Sequence, residues 1–520
     1  MRIIEKDGTG KIFAVQMNGL RQHDRSTVAS GLSQQVAARE SVWFFNSWVN
    51  IMYNVFLPVG YPETVSPDYM RYSILNALQT FCSSLAGMLS SRATLEGYGV
   101  GNASASATDA LLLSVLQDII GRLTTILAAY YYGSSLMPEA KTYRFLADIL
   151  IDLAIALDTL SPVLASFPAF LMLARIIPIP FRVYTLCLSS SLRALCGIAA
   201  GGSKTAITIH FATPVEGAGD LGDLSAKDSS KETVLGLFGM LLGTFIVPYL
   251  TTPFSTYFAL CLLVFLHLCI NFFAVRGVAL RTLNRQRASI AWSIYQGPIE
   301  TNSGATNHDA PSPVDVARME RIFHRPNIIR DITGEVLGRC TVGCSLGSGG
   351  VIPRTIFDLF EDDKYVLWFH PSCLSSTTTP DSSETVVFGK PHLLVFLKDG
   401  HRPSDQLKAW LHAVEVVRLA KQELVHIRRQ SLHNSNLQMP ADVDMTALQP
   451  GALIVASYLS IQRDFDPFVG SMLHARWMGS RIDSNHNQQL DVALLTGPVT
   501  VILDVQMEDR RESEELKKDK

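Results

Sequence analysis

The sequence predicts a mainly α-helical protein in two parts: a polytopic helical membrane domain of about six spans, then a smaller cytosolic α+β module. Three observations predict this fold class. Apolar residues make up 48% of the 520-residue chain and charged residues only 18%, against about 25% charged in a typical soluble domain. The 43 positions between Glu232 and Arg276 hold no Asp, Glu, Lys or Arg. Beyond about residue 298 the chain becomes polar.

The candidate spans are the long apolar runs of the first half of the chain. The 43-residue run is long enough for two spans, because one span needs about 20 residues, and Pro248 and Pro253 predict the turn between them. A second uncharged run fills the 20 positions between Arg71 and Arg92. Three further candidates contain a few charges each: 109–132, 145–164 and 183–211. Four prolines interrupt the stretch 162–181, which predicts a kinked or re-entrant segment and not a span.

Arginines after the last span predict the orientation of the chain. No acidic residue lies between Arg276 and Glu300, whereas several arginines do, and such an excess marks the cytoplasmic side. The first 50 residues lack the apolar core of a signal peptide, so we expect a cytoplasmic N-terminus. Six spans then place both ends of the chain in the cytoplasm and the glycine-rich stretch 97–107 on the other side.

The chain divides into five predicted segments. They are an N-terminal extension (1–54), the membrane domain (55–290), a linker rich in Pro, Gly and Ser (291–318), the α+β module (319–506) and a charged tail (507–520). Within the module, Tyr365–His370 and His392–Leu397 have the composition of strands. Apolar residues at three- and four-residue spacing predict helices from about Ser404 and over Leu453–Arg463.

Ionisable residues inside the apolar runs are the candidate functional residues, because an ion in hydrocarbon costs several kcal/mol unless it faces a cavity or a partner. Arg144, Asp148 and Asp152 form an i, i+4, i+8 stripe on one helix face. The full candidate substrate-binding set is Asp118, Arg122, Arg144, Asp148, Asp152, Lys204, His210, His267 and Asn271. The alternative is that these residues form buried pairs that fix helix packing and bind no ligand.

The segment 220–232, just before the longest apolar run, is predicted to be a surface loop. Lys227 and Asp228 in this segment are candidates to gate or bind a ligand at the membrane surface. Ser229 and Glu232 have the spacing of a capping box, which predicts that the next helix begins there. Ordinary capping and solvation explain the same residues without a ligand.

The sequence contains no recognisable constellation for catalysis, metal binding or nucleotide binding. Cys340 and Cys344 have no second cysteine pair near them, so they do not complete a zinc pattern. The glycine clusters at 99–101 and 347–350 lack the context of a phosphate-binding loop. Basic residues do not cluster with aromatic ones as a nucleic-acid surface requires. We therefore predict no enzyme activity, no cofactor, no metal and no nucleic-acid partner.

An ordered series of short motifs covers roughly residues 55–290. The series comprises Leu57-Pro-Val-Gly-Tyr-Pro62, Asp68-Tyr69, Gly99-Val-Gly101, Asp118 with Gly121-Arg122, Lys141-x-x-Arg144, Ala147-Asp148, His210-Phe-Ala212, Ala226-Lys-Asp228, Glu232-Thr233, His267-x-x-x-Asn271, Ala274-Val-Arg276 and Leu283-Asn284-x-x-Arg287. In order and spacing it resembles the root UV-B sensitive (RUS) family. Three positions differ from the family pattern: Lys204 stands in place of Arg, Lys231 in place of Gln, and Arg476-Trp477 in place of Gly-Trp.

The resemblance implies a multi-span membrane protein of a family that plants use in UV-B tolerance, early development and vitamin B6 homeostasis. It brings no established catalytic residue. The leading hypothesis is an integral membrane protein that transports or senses a small polar metabolite such as a B6 vitamer, with Arg122, Arg144 and Lys204 as candidate phosphate ligands. The alternative is a membrane scaffold whose C-terminal module recruits a protein partner. The expected partners are the lipid bilayer, the metabolite, and a protein partner or a second copy of the chain.

Overall fold

The computed structural model of the chain has two compact units. Residues 1–129 and 140–278 form the first unit, and residues 130–139 and 279–520 form the second. In the N-terminal extension, β1 (Arg2–Lys6) pairs antiparallel with β2 (Ile12–Gln16). The structure describes residues 2–6, 12–16, 52–97, 106–164, 181–215, 219–297, 310–379, 382–387, 390–434, 449–481, 488–490 and 502–503.

The first unit is a bundle of long helices. Its helices are α1 (Tyr69–Gly97), α2 (Ala107–Tyr132), α3 (Ala140–Leu164), α4 (Phe181–Ala212), α5 (Leu221–Ile246) and α6 (Pro253–Arg276). Helix α1 packs against α3, α5 and α6, and α3 packs against α4. Among the described residues, four helices are long and apolar enough to cross a membrane; they cover Thr108–Ser135, Phe181–Ala212, Leu221–Tyr249 and Pro253–Arg276.

Two prolines divide the longest apolar run into α5 and α6, as the sequence predicts. Helix α5 ends at Ile246, a short 3₁₀ turn follows, and Pro253 is the first residue of α6. Thr252 caps α6, because its hydroxyl accepts a hydrogen bond from the Ser255 amide at 3.2 Å. The predicted re-entrant segment lies mostly outside the described residues, which end at Leu164 and resume at Phe181.

The predicted loop at 220–232 is wrong, because this segment is the start of α5. Asp220 is the N-cap: its Oδ1 accepts hydrogen bonds from the amides of Gly222 at 2.7 Å and Asp223 at 3.3 Å. No proline lies between Asp220 and Ser229, and the glycine at position 222 lies in the first turn, where Asp220 accepts its amide, so the helix forms before the predicted capping box at Ser229 is reached. Lys227 and Asp228 therefore lie on a helix.

Three glycines allow α5 to approach α1 closely. A Cβ atom on Gly239 would lie 2.8 Å from the Phe81 carbonyl oxygen and 2.8 Å from Ser84 Cβ on α1. One on Gly243 would lie 3.0 Å from Met88 Cγ, and Gly236 faces Ser84 in the same way at 3.4 Å. Small residues at such spacing are typical of close helix pairs in membranes.

The second unit is an α+β structure around one five-stranded sheet. Strand β8 (His392–Lys398) pairs antiparallel with β5 (Tyr365–Phe369) and parallel with β4 (Val336–Val342), which pairs antiparallel with β3 (Ile328–Arg330). Strand β11 (Ile502–Leu503) adds to β8 in parallel. Separate hairpins are formed by β6 (Leu374–Thr379) with β7 (Ser382–Val387) and by β9 (Gly479–Arg481) with β10 (Gln488–Leu490).

Five helices complete the second unit: α7 (Arg285–Tyr295), α8 (Pro313–Met319), α9 (Arg354–Leu359), α10 (Pro403–Asn434) and α11 (Pro450–His474). The two strands and two helices predicted in this region are present, although α11 is longer than expected. Helix α7 belongs to the core of this unit, because Trp292 is fully buried and packs against Phe468 of α11. The predicted boundary at residue 290 thus falls inside α7.

One departure from the family pattern, Arg476, lies just after the end of α11. Arg476 adopts a positive φ of 70°, and the Trp477 amide donates to the Met472 carbonyl at 3.2 Å. This is the helix-ending geometry in which glycine is favoured, because a side chain is strained there. Arg476 therefore occupies a position whose backbone suits the glycine of the family pattern.

Candidate functional site

The candidate site is a network of buried polar side chains inside the helical unit. Helices α1, α3, α4, α5 and α6 each contribute to it. The stripe on α3 is the axis of the network: Arg144, Asp148 and Asp152 are all buried and point towards α1 and α6. The spacing on α3 was therefore a correct guide to side chains that share a buried face.

Arg144 is held by α1 and by its own helix. Its Nε donates to Tyr72 Oη at 3.2 Å and one terminal nitrogen donates to Asn76 Oδ1 at 2.9 Å. The other terminal nitrogen forms an ion pair with Asp148 Oδ1 at 2.9 Å. All three guanidinium nitrogens thus have acceptors, which is the condition for burying this cation.

His267 of α6 lies between the two carboxylates of α3. Its Nδ1 is 2.8 Å from Asp152 Oδ2 and its Nε2 is 3.8 Å from Asp148 Oδ2. Gln79 of α1 donates an additional hydrogen bond to the same Asp148 oxygen. The imidazole ring therefore connects Asp152 to the Arg144–Asp148 pair.

Several buried oxygens around His267 accept no hydrogen bond from the described residues. They are Gln79 Oε1, Asp152 Oδ1 and Asn271 Oδ1. The amide nitrogens of Gln79 and Asn271 already donate, to Asp148 and to the Arg144 carbonyl. The three oxygens without a hydrogen bond are all acceptors, so a ligand that donates hydrogen bonds would match this part of the network.

The network continues through Glu232 and Lys204. Asn76 Nδ2 donates to Glu232 Oε1 at 2.7 Å, and Lys204 Nζ of α4 contacts both Glu232 oxygens at 2.8 Å. Lys204 thus joins the network through Glu232, which contacts Asn76 beside Arg144. Glu232 was known from the sequence only as a helix-capping candidate and as a residue of the family-like motifs.

Asp228 forms a neighbouring cluster with the start of α1. Tyr69 Oη donates to Asp228 Oδ1 at 3.0 Å, and Lys231 pairs with the same oxygen at 2.7 Å. Lys227 instead donates to the Asn54 carbonyl. Asp228 is therefore a buried partner of α1, and Lys227 lies apart from it.

His210 pairs with Asp68, which directly precedes α1. Its Nε2 is 3.1 Å from Asp68 Oδ2, and Ser66 Oγ donates to the other oxygen at 2.5 Å. His210 Nδ1 is buried and makes no hydrogen bond with the described residues. This pair lies at the same end of α1 as Tyr69 and does not contact His267.

Asp118 and Arg122 are exposed on α2 and are not part of the network. Asp118 does line a separate cavity of about 490 Å³ between α1, α2, α3 and α4. The same cavity contains an ion pair between Arg193 and Asp158 at 2.6 Å, with Ser90 donating to Asp158 at 3.0 Å. Asp158 and Arg193 also lie inside apolar runs, so the criterion that selected Asp118 would have found them.

The buried network has the chemistry to bind and orient a small polar ligand and to exchange protons with it. Among the described residues, no group of three His, Cys, Asp or Glu side chains is placed to hold a metal ion. The eight cysteines lie in described segments and are unpaired. The buried groups are acceptors, ion pairs and two histidines, which suit recognition of a small polar molecule.

The last residues of the family-like series have a structural role in the second unit. Asn284 caps α7, because its Oδ1 accepts from the Arg287 amide at 2.8 Å. Arg287 is buried and donates to the carbonyls of Pro138 at 2.9 Å and Thr282 at 2.7 Å. These contacts fix the segment before α3 to α7 and lie outside the network.

Comparison with known proteins gives the same relationship as the motifs. Residues 45–297 match the family model described as the vitamin B6 photo-protection and homoeostasis domain. RUS family member 1 of Dictyostelium discoideum is 32% identical over 284 residues, which are 54% of this chain and 49% of that protein. Protein root UVB sensitive 3 of Arabidopsis thaliana is 29% identical over 396 residues, or 76% of this chain and 80% of the relative.

A third relative, protein root UVB sensitive 2, chloroplastic, of Arabidopsis thaliana, is 26% identical over 287 residues, or 55% of this chain and 59% of its own length. The chain thus spans about half the length of the Dictyostelium relative that it matches. No solved structure matches the chain. The family model, the relatives and the ordered motifs agree: residues 45–297 match the root UVB sensitive family.

Proposed function

We propose that the chain is an integral membrane protein of six spans whose helical unit binds and moves a small polar metabolite. The observation that carries the proposal is the buried network on α3, where Arg144, Asp148 and Asp152 meet His267 inside otherwise apolar helices. Burying an ionisable group between apolar helices costs free energy. Helix packing alone does not require such groups, because well-packed apolar residues stabilise a helix bundle equally well or better. The proposal includes no chemical conversion of the metabolite.

Polar groups extend along most of the proposed membrane thickness. Arg144 and Asp158 are separated by 14 residues on α3, which is about 21 Å at about 1.5 Å per residue, against a hydrocarbon core of about 30 Å. At one end of this stretch of α3, Asp158 lines the same cavity as Asp118. At the other end, Arg144 contacts Asn76, which contacts Glu232, and Glu232 pairs with Lys204. A polar path of this length suits passage better than a single packing contact.

The network favours a ligand that donates hydrogen bonds. The acidic side chains of Asp148, Asp152, Asp228 and Glu232 outnumber the basic ones of Arg144, Lys204 and Lys231 by one, and the unpartnered atoms near His267 are acceptors. B6 vitamers carry hydroxyl groups and a ring nitrogen that can be protonated. Because the matching family model is described by vitamin B6 homoeostasis, these compounds are the first class to test.

Uptake of labelled pyridoxine into liposomes containing the purified protein tests the proposal. We expect time-dependent uptake above protein-free liposomes, and a loss of at least about tenfold with Asp152→Asn, because the variant removes the charge beside His267 but keeps its shape. Losing one charged hydrogen bond corresponds to about 1.5–3 kcal/mol, or about tenfold or more. Asp109→Asn is the matched control, since Asp109 is an exposed acid at the start of α2.

Two results would contradict the transport proposal. One is the absence of flux for every vitamer while the wild-type protein remains folded in the liposomes. The other is unchanged uptake by Asp152→Asn. Either result would leave the scaffold hypothesis, which predicts that removal of the chain beyond about residue 300 abolishes function in cells whereas Asp152→Asn does not.

A further inference from the structure

A second polar cavity lies in the α+β unit and shares no residue with the buried network of the helical unit. It has a volume of about 120 Å³ and lies between α7 and the turn that follows β3. This volume equals the share of about four liquid water molecules, at about 30 Å³ each. Its polar lining comes from Gln286, Ser289, Arg321, His324, Arg330 and Asp331.

The three basic residues of this cavity have no acidic partner among the described residues. Arg321, His324 and Arg330 form no ion pair within that part of the chain. One terminal nitrogen of Arg330 donates to the Gly334 carbonyl at 2.8 Å, but its buried Nε has no acceptor. Neither ring nitrogen of His324 reaches solvent or makes a hydrogen bond of standard geometry. Arg321 is exposed, whereas Arg330 Nε and both ring nitrogens of His324 are buried without a partner, which is costly. Because all three residues line this cavity, an acceptor bound there would be met by their positive charge and would offset part of that cost.

The acidic residue of the cavity is occupied elsewhere. Asp331 Oδ2 pairs with Lys421 at 2.8 Å, and its Oδ1 accepts from the Glu335 amide at 2.9 Å and from the Thr333 hydroxyl at 2.6 Å. Burial opposes the charge on Asp331, but the hydrogen bonds from Lys421, Thr333 and the Glu335 amide prevail and lower its pKa to about 2. Asp331 is thus ionised and already paired, and it leaves the positive charge of Arg321 and Arg330 unbalanced.

Glycine at position 334 makes room for the Arg321 side chain. Gly334 has a positive φ of 90°, and a Cβ atom there would lie 1.9 Å from a terminal nitrogen of Arg321. The guanidinium group therefore lies directly over the turn that holds Arg330. The turn brings the two arginines to the same cavity.

The environment of His324 agrees with an anion site. Burial and then the charges of Arg330 and Arg321 lower its pKa to about 4, while Glu320 and the main chain of Ile328 act in the opposite direction. An anion placed between the three side chains would reverse the effect of the arginines and raise the pKa of His324. Binding of an anion would then favour the protonated form of His324.

We propose that the cavity formed by Arg321, His324 and Arg330 binds a phosphate group, either as free phosphate or as the phosphate of a small monoester. The chemistry follows from the donors: two guanidinium groups and an imidazole offer hydrogen bonds and positive charge to a compact oxyanion. This site lies in the second unit and does not depend on the transport proposed for the helical unit.

Calorimetric titration of the full-length protein in detergent, at constant ionic strength and in phosphate-free buffer, tests the site. The probes are inorganic phosphate and phenyl phosphate, with phenol as the probe that lacks the phosphate group. We expect saturable binding of one or both phosphate compounds and no binding of phenol. Which of the two phosphate compounds binds more tightly shows whether the site takes free phosphate or a phosphate monoester. Arg330→Gln and Arg321→Gln should each weaken binding at least about tenfold, since each removes charged hydrogen bonds.

Arg354→Gln is the matched control, because Arg354 is an exposed arginine of the same unit outside this cavity. It should leave the affinity unchanged. Proton uptake, measured by repeating the titration in buffers of different ionisation enthalpy at about pH 5, just above the pKa of about 4 of His324, should be present in the wild type and lost in His324→Gln. The proposal is overturned if the folded wild type binds neither phosphate, if the cavity variants bind as the wild type does, or if Arg354→Gln weakens binding equally.

Discussion

Arg144 shows at the scale of one residue how a charge is accommodated between apolar helices. Its three guanidinium nitrogens contact Tyr72, Asn76 and Asp148 separately. A lysine ammonium group is a single point of charge and does not match three acceptors spread over two helices. The identity of the residue, and not only its charge, is therefore specified by α1 and α3 together.

Glu139 gives the second unit a pH dependence that can be measured. Burial raises its pKa to about 7, and Glu320 adds to the increase while Arg287 opposes it. The folded protein therefore keeps a proton on Glu139 that the unfolded chain releases near pH 4.5. The contribution of Glu139 to stability is greatest below the unfolded pKa and is lost as pH rises from about 4.5 through about 7. A difference of one between the folded and unfolded pKa values corresponds to about 1.4 kcal/mol.

Glu139→Gln should remove this dependence, because glutamine has a similar shape and no charge to bury. We expect the variant to melt at a higher temperature than the wild type at pH 8, by an amount corresponding to about 1–3 kcal/mol, and at about the same temperature at pH 4.5. Thermal unfolding of the full chain in detergent measures both. Glu361→Gln changes an exposed acid and serves as the control. A variant that is no more stable than the wild type at pH 8 would contradict the assignment.

Sequence reasoning found most of the charged residues of the network, although not Glu232, and missed most of the neutral ones. Arg144, Asp148, Asp152 and His267 stand out because ions are rare in apolar runs. Their partners Tyr72, Asn76 and Gln79 lie in the uncharged run of α1 and do not stand out by that criterion. Which neutral residue faces which ion depends on the rotation of α1 about its own axis, and tertiary packing sets that rotation.

At the scale of elements, glycine decides how close α5 lies to α1. The main chain of α1 at Phe81 and the side chain of Ser84 occupy the space that a Cβ on Gly239 would need. The same approach brings Glu232 within reach of Asn76 and Asp228 within reach of Tyr69. The glycine face of α5 therefore also sets the geometry of the polar contacts between these helices.

Gly239→Ala should destabilise the helical unit by about 1–3 kcal/mol, the usual cost of inserting a methyl group into a tightly packed contact. Gly87→Ala is the matched control on α1, because nothing lies within 4 Å of the Cβ it would introduce. The control should be neutral or slightly stabilising, since alanine is favoured over glycine inside a helix by about 0.5–1 kcal/mol. Thermal melting in detergent compares the two variants. Equal stability of both would argue against the close approach of α5 and α1.

Helix existence was easier to predict than helix limits. Hydropathy located α1 to α6, because long apolar runs are unambiguous. The start of α5 was misplaced because two residues compete as its N-cap, and the sequence does not reveal that Asp220 accepts the amides before Ser229. The predicted boundary at residue 290 falls inside α7, because the burial of Trp292 depends on α11, which lies far along the chain.

At the scale of the helical unit, the polar contacts give the directions of the helices. Asn76 meets Arg144 and Ser90 meets Asp158, so α1 and α3 run in the same direction. Tyr69 meets Asp228 and Phe81 lies beside Gly239, so α5 runs the same way. Helix α4 runs in the opposite direction, because Arg182 at its start contacts Ala93 near the end of α1 and His210 near its end contacts Asp68 before α1. Helix α6 also runs in the opposite direction, because His267 meets Asp152 whereas the later Asn271 meets the earlier Arg144.

This alternation places the start of α5 and the turn after it at opposite ends of the helical unit. In the six-span arrangement we propose, Ser225 then lies on the cytoplasmic side and Thr251 on the other. Both residues are exposed, so cysteine can replace either without entering the core. Replacing the exposed Cys261 of α6 by serine lowers the background.

Labelling with a membrane-impermeant maleimide on sealed, oriented vesicles should therefore separate the two sites. Ser225→Cys should react only when the cytoplasmic face is outside, and Thr251→Cys only when the opposite face is outside. Detergent should make both reactive, which controls for accessibility of the thiol itself. If both cysteines react from the same side, α5 does not cross the membrane. Helix α5 has 26 residues and is about 39 Å long at about 1.5 Å per residue. When it spans the membrane, its two ends therefore lie farther apart than the thickness of the hydrocarbon core, about 30 Å.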